Sequence, residues 1–415
     1  DSGLYTRQIR LLDDPQNPGQ FLETEWTESR AVMGRQVATV FPDGAEQTTA
    51  YDDKGRIIEQ VDSDGVTTRF AYDARGRRTV TAVKMTTTAG IDYANDRVTE
   101  QEYAIVERTA DLGSGDQTYT FQQTKTYVYG EDNDATTRTR MSTSEREVFG
   151  RGNLQTDASG ATSRSYRTLA VSGDWEQVSV QPSGAYSVRS YVGGLLDANE
   201  SYDSADTLLQ STTTAYDAFN RQSSVTDSRT GTTTFAYYDN DQMQEIIAPD
   251  PDGAGTLSAL STQMIYDDRG REIQRILPDA SSVHTEYNTR GQVVKTYGSQ
   301  QNPVEYAYDA QGRQVSMTTW QDFDETTGTG ISGDATTTWI YDSQRGWLNR
   351  KEYDDAQGTD YTYTAAGRLA SRTWARDADP DTAGHQPLVT NYAYNSAGDL
   401  LGVDYSDSTP DVHYS

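Results

Sequence analysis

Tyr266-Asp267-Asp268-Arg269-Gly270-Arg271, Tyr287-Asn288-Thr289-Arg290-Gly291-Gln292 and Tyr308-Asp309-Ala310-Gln311-Gly312-Arg313 state one phrase three times, each tyrosine 21 residues after the last. A fixed period in this range marks a repeat architecture, in which each unit packs on its neighbours. The phrase occurs at the same spacing as Tyr51-Asp52-Asp53-Lys54-Gly55-Arg56 and Tyr72-Asp73-Ala74-Arg75-Gly76-Arg77. An acid at the first turn position can accept the turn's own backbone amides, and the glycine can take a positive φ without a Cβ clash. Flanking residues such as Thr67 to Tyr72 and Arg77 to Val83 favour extension. A second turn lies midway between phrases, as at Asp62-Ser63-Asp64-Gly65 and Leu277-Pro278-Asp279-Ala280. One unit therefore holds two strands and two turns, and its tyrosines recur about 9.6 Å apart along the sheet, twice the strand spacing.

The phrase returns with substitutions at Tyr216-Asp217-Ala218-Phe219-Asn220-Arg221, Tyr341-Asp342-Ser343-Gln344-Arg345-Gly346, Tyr363-Thr364-Ala365-Ala366-Gly367-Arg368 and Tyr394-Asn395-Ser396-Ala397-Gly398-Asp399. With tyrosine, turn glycine and spacing kept together, the chain resembles the YD-repeat (Rhs-repeat) family, which includes bacterial Rhs proteins, the shells of insecticidal toxin complexes and teneurins. That resemblance implies an all-β fold: a spirally wound antiparallel β-sheet, a YD-repeat β-shell or barrel, with loop insertions. It covers residues 51–83 and 202–405 well. Toxin-bearing relatives end in a core segment rich in Asp-Pro and Gly-Leu. After Ser396 this chain shows only Leu400-Leu401-Gly402 and Ser408-Thr409-Pro410, so no cleavage site carries over.

The chain has 415 residues, of which 34% are hydrophobic, and its 28 tyrosines outnumber its 8 phenylalanines. Amphipathic rings on a sheet with a wet side fit this composition better than a large aliphatic core. The net charge of −28 counts against nucleic acid and anionic lipid as partners. Thirty of the 35 basic residues are arginine, and an acidic, lysine-poor surface suits an extracellular or cell-surface setting. The lack of cysteine excludes disulfides and thiolate chemistry. No apolar run reaches the ~20 residues of a membrane span, so membrane insertion is not expected. The expectation at this stage is a fragment of a larger protein whose signal peptide is not in this chain.

Residues 1–50 carry no clear phrase and are expected to cap the first sheet edge, with the repeat array running over 51–415, irregular at 85–200. Within the irregular part, residues 96–112 read as strand, because Val98, Tyr103 and Ile105 do not hold helical spacing. Three tyrosine intervals are lengthened, 237 to 266, 308 to 341 and 363 to 394, which places insertions near 249–255, 320–334 and 375–387. At about 10.5 residues per strand and turn the chain would supply on the order of 40 strands, one ring about 60 Å across or two narrower turns.

Candidate sites follow from these breaks. Asp250 and Asp252, and Asp377, Asp379 and Asp381, alternate carboxylates with neutral residues, a spacing that suits calcium, although neither completes a twelve-residue loop. His284, His385 and His413 have no mutual spacing that suggests a metal site. The arginines after the turn glycine, Arg56, Arg77, Arg271, Arg313 and Arg368, are expected to pair with the turn aspartate or stack on a tyrosine and hold the hairpin. No nucleophile elbow, phosphate loop or His-Glu-x-x-His is present, and no catalytic residue is assigned. Two readings remain. One is a non-catalytic structural shell that encapsulates, adheres or contacts a neighbouring polypeptide. The other is a carbohydrate-active protein that binds or cleaves an extracellular glycan on its aromatic face, where Trp320, Trp339, Trp347 and Trp374 gather.

Overall fold

The structure is a computed structural model that describes residues 4–13, 21–129, 138–170, 172–252, 258–377 and 387–414. The phrase folds as its residues dictate. Asp73 Oδ1 accepts the amides of Arg75 and Arg77 at 2.9 Å each, and the Gly76 amide closes the turn on the Asp73 carbonyl at 3.0 Å. Gly76 sits at φ 83°, and the strand register slips between Ala71 and Tyr72. This is a tight turn running into a bulge, with the acid satisfying the donors that the turn leaves over.

Repetition of this unit gives an all-β chain in which each strand of the main sheet pairs antiparallel with the next strand of that sheet, from Leu4–Asp13 to Val412–His413. Among the described residues thirty-two strands form one sheet, and a separate hairpin of Asp322–Asp324 and Thr329–Ser332 lies inside the insertion at 320–334. The sheet passes that insertion unbroken, because Gln314–Thr319 pairs directly with Ala335–Tyr341.

Such a meander has two rims, and the phrase turns all fall on one of them. The other rim carries the midway turns and the three lengthened connections. The sheet coils so that its last part returns beside its first: Arg345 reaches Asp43 at 2.9 Å, Arg368 reaches Asp62 at 2.6 Å, and Arg97 reaches Asp399 at 2.6 Å. Three successive turns of the midway rim thus meet three successive turns of the phrase rim, in the same order. About 23 strand steps separate the partners, so one winding is on the order of 35–40 Å across at ~4.8 Å per strand. That is narrower than the single ring expected from chain length and nearer the alternative of two narrower turns, because the sheet overlaps itself instead of closing once.

Two features of the N-terminal half stand apart from the regular array. Within residues 4–51 four strands pair into the same ladder, which among the described residues begins at Leu4–Asp13. Between 85 and 200 the strands Arg97–Asp111 and Asp116–Tyr129 form a hairpin about twice the ordinary length. Its far part buries Leu112, Tyr119 and Phe121 against Leu154, a small apolar cluster of its own. A second cluster of Val80, Ala82 and Val98 underlies the loop that joins Arg78–Val83 to this hairpin.

Candidate functional site

A repeated arrangement of charged and aromatic side chains follows the phrase rim. At Tyr266–Arg271, Asp267 Oδ1 accepts the amides of Arg269 and Arg271 at 2.9 and 3.0 Å, and Oδ2 accepts Arg271 Nε at 2.7 Å. The Arg271 guanidinium lies 4.6 Å from the centre of the next phrase's Tyr287 ring and donates to the Asn288 carbonyl at 3.0 Å. Tyr287 in turn donates its hydroxyl to the Glu272 carbonyl at 2.9 Å. One aspartate, one arginine and one tyrosine therefore staple each phrase turn to the next.

The staple recurs along the rim. Arg56 binds Asp52 at 2.7 Å and covers Tyr72, whose hydroxyl meets the Ile57 carbonyl. Arg77 binds Asp73 and covers Tyr103, and Arg313 binds Asp309 and covers Tyr341. Tyr51 and Tyr308 donate to the carbonyls of Gln36 and Val293. Tyr266 packs edge-on against Tyr238 at 6.2 Å. Gly55, Gly270, Gly291 and Gly312 all hold positive φ, as the turn requires. Where the arginine is absent, Gln292 reaches the Gly312 carbonyl at 3.0 Å instead. The Arg271 guanidinium and the turn amides hold the Asp267 carboxyl below the usual carboxylate range, and the Arg56 amide leads the same effect at Asp52.

Within this same region, the family model described as RHS Repeat matches residues 51–90. Residues 51–90 thus match an RHS repeat. No curated protein sequence matches the chain. Among solved structures, TcdB2-TccC3 without its hypervariable C-terminal region is similar at 13% identity and TM-score 0.41, covering 94% of this chain and 24% of that one. The Photorhabdus luminescens Tc holotoxin pore is similar at 11% identity and TM-score 0.26, covering 99% and 30%. The chain spans about a quarter to a third of the length of these structures. At such scores the fold rests on the chain's own ladder and on its RHS repeat.

Outside the RHS repeat staples, the residues singled out in the sequence do not converge. Asp250 Oδ1 accepts the Asp252 amide at 3.2 Å, an ordinary acidic turn, and neither residue joins a group of three metal-ligand types among the described residues. The Asp377 side chain, Asp379, Asp381 and His385 lie outside the described residues. Among the described residues, Asp404, Asp411 and His413 bring three such ligand atoms within 4.8 Å at the surface. His284 stacks on Tyr297 at 5.0 Å and lies 3.0 Å from Ser282 Oγ.

The tryptophans each meet a partner. Arg7, Arg167, Arg345 and Arg372 lie over Trp26, Trp175, Trp347 and Trp374 at 4.0, 4.3, 4.5 and 3.5 Å. Lys351 stands 5.7 Å from Trp339, and Phe323 stands 5.5 Å from Trp320. The 320–334 insertion folds back on the sheet, with Phe323 at 5.4 Å from Tyr297 and the Gly328 carbonyl accepting from Lys295 at 3.2 Å.

Three features escaped the sequence reading. Lys84 and Asp96 form a buried ion pair at 2.5 Å that closes the loop between them. Glu147 plays the turn aspartate, accepting the amides of Phe149 and Arg151 at 2.9 and 3.0 Å. Glu147-Val148-Phe149-Gly150-Arg151 is the Asp-x-x-Gly-Arg turn with one methylene added and Arg146 in place of the tyrosine, a signal that was present in the sequence. The contacts between windings had a fainter signal, in the phrases that depart from the rule.

Proposed function

We propose that this chain is a non-catalytic structural shell module of a secreted or surface-exposed protein, and that its coiled sheet encloses or contacts another polypeptide. The observation that carries this reading is the use of the phrase side chains. Aspartates, arginines and tyrosines that would supply acid, base or stacking surface are spent on the neighbouring turn, unit after unit. The RHS repeat and the coiling of the sheet support the shell, and the partners found on all six tryptophan rings speak for packing over sugar stacking.

The test uses the natural gene product that contains this chain. Protease treatment is expected to leave an enclosed segment intact while the sheet is folded and to digest it once denaturant opens the sheet. Incubation with acidic and neutral polysaccharides is expected to release no new reducing or unsaturated ends. Turnover that a single substitution in this chain abolishes would overturn the non-catalytic reading, and equal digestion of every flanking segment in the folded state would overturn enclosure.

A further inference from the structure

The three phrases that meet the first winding all depart from Asp-x-x-Gly-Arg, as the phrases at Tyr216 and Tyr287 also do away from the join. In regular turns the acid at the first position takes the amide two residues on and the guanidinium four residues on, as Asp52 takes Lys54 N–H at 3.0 Å and Arg56 Nε at 2.7 Å. At Tyr363–Arg368 the first position is Thr364. Its hydroxyl oxygen accepts only the Arg368 amide, at 3.1 Å. The two donors that an aspartate would have satisfied turn outward. The Ala366 amide donates to Asp64 Oδ1 at 2.9 Å, and Arg368 donates to Asp64 Oδ2 and to Asp62 Oδ2. The Thr364 hydroxyl itself donates to Asp64 Oδ2 at 2.6 Å. Asp64 belongs to a midway turn 300 residues earlier, yet it stands where the missing carboxylate of the later turn would be.

The neighbouring departures do related work. In Tyr341–Trp347 the glycine comes one place late, and Asp342 is filled by the amides of Gln344, Arg345 and Trp347. Arg345, displaced from its usual position, lies 3.8 Å over Phe41 and donates to both oxygens of Asp43. In Tyr394–Asp399 an aspartate replaces the arginine, and it receives Arg97 from the first winding at 2.6 Å, while Ser396 donates to the Met85 carbonyl at 3.3 Å.

We infer that the register of the winding is encoded in these departures, and that Thr364 is the residue that sets it: by withholding a local carboxylate, it leaves a turn that only Asp64 of the other winding completes. The positioning role is distinct from the shell reading, since it concerns how the sheet meets itself whatever the shell contains.

The test is Thr364→Asp in the full chain, compared with Asp64→Asn and with the pair combined. The local acid is expected to recapture Ala366 N–H and Arg368, as Asp309 holds Arg313, and to repel Asp64. Amide exchange at Gly65 and Val66 on the far side of the join is then expected to speed up about five-fold, the scale of a partly exposed charge contact. Small-angle scattering should widen while far-ultraviolet circular dichroism stays constant. Because both changes cut the same contact, the double variant should add little to either single one. Arg368→Gln gives a second route to the same loosening should Thr364→Asp not fold. Unchanged exchange at Gly65 and Val66 in Thr364→Asp, or full additivity with Asp64→Asn, overturns the inference.

Discussion

Replacing Asp96 by asparagine tests how the first winding holds the loop that joins it to the long hairpin. Asp96 has no exposed side-chain surface and Lys84 is only 7% exposed. Oδ2 accepts Lys84 Nζ at 2.5 Å and the Asp92 amide at 2.8 Å, while Oδ1 accepts the Met85 amide at 3.0 Å and the Thr86 hydroxyl at 3.2 Å. Asparagine keeps one acceptor but sets an NH2 against either the ammonium or the Met85 amide, and it leaves the Lys84 charge buried without a counter-ion. Breaking a buried pair from one side costs on the order of 3–5 kcal/mol. The loss should appear in urea unfolding and as faster exchange of the Met85 and Asp92 amides. Adding Lys84→Met removes the stranded charge and should restore part of the loss. If Asp96→Asn alone shifts stability by less than about 1 kcal/mol, the pair is solvated in a way that its burial contradicts.

Gly298 and Gly291 make a contrasting pair. At Gly298, φ is +142° and a Cβ would stand 1.9 Å from the Ser282 carbonyl oxygen, so alanine should cost about 3 kcal/mol or more in chemical denaturation. At Gly291, φ is +86° with nothing within 4 Å, and alanine should cost only the left-handed penalty of about 1–2 kcal/mol; equal losses would refute the distinction. Acid is expected to weaken the sheet in one direction. Turn hydrogen bonds hold the carboxyls of Asp52 and Asp267 low, and at Asp64 burial is outweighed by Thr364, Ala366 and Arg368. Their stabilisation is complete above the unfolded value of about 3.9 and is lost as pH falls through the lower folded values. The melting temperature should hold from about pH 7 to 5 and drop below about pH 4; a melt that stays level down to pH 2 would count against these contacts.

The strand-turn unit was legible because it is local. Tyr266 to Arg313 holds its own turn acids, glycines and extended flanks, and the structure needs nothing from afar to build them. Residues 85 to 200 were harder to read because the turns there keep the geometry with other residues, as Glu147 does for aspartate and Gly113 at φ +89° does for the long hairpin. The strands of 4–51 had a fainter signal for the same reason: Met33-Gly34 and Phe41 to Ala45 make turns without the tyrosine phrase. The width of the winding was not legible, since spacing along one chain carries no information about which turns meet 300 residues apart. The substituted phrases at 341, 363 and 394 looked like decay of the motif, and they coincide with the join.

Because each strand of the main sheet bonds to the next strand of that sheet along the chain, nearly all of it consists of contacts that a growing chain can make as soon as each hairpin is complete. Low sequence separation of this kind favours rapid, progressive formation from any starting point along the array. The joins at Asp43, Asp62, Asp64 and Arg97 are the exception, since each waits for a partner about 300 residues later. Assembly therefore has two timescales, a sheet that lengthens as it is made and a coil that locks only when Arg345, Arg368 and Asp399 arrive.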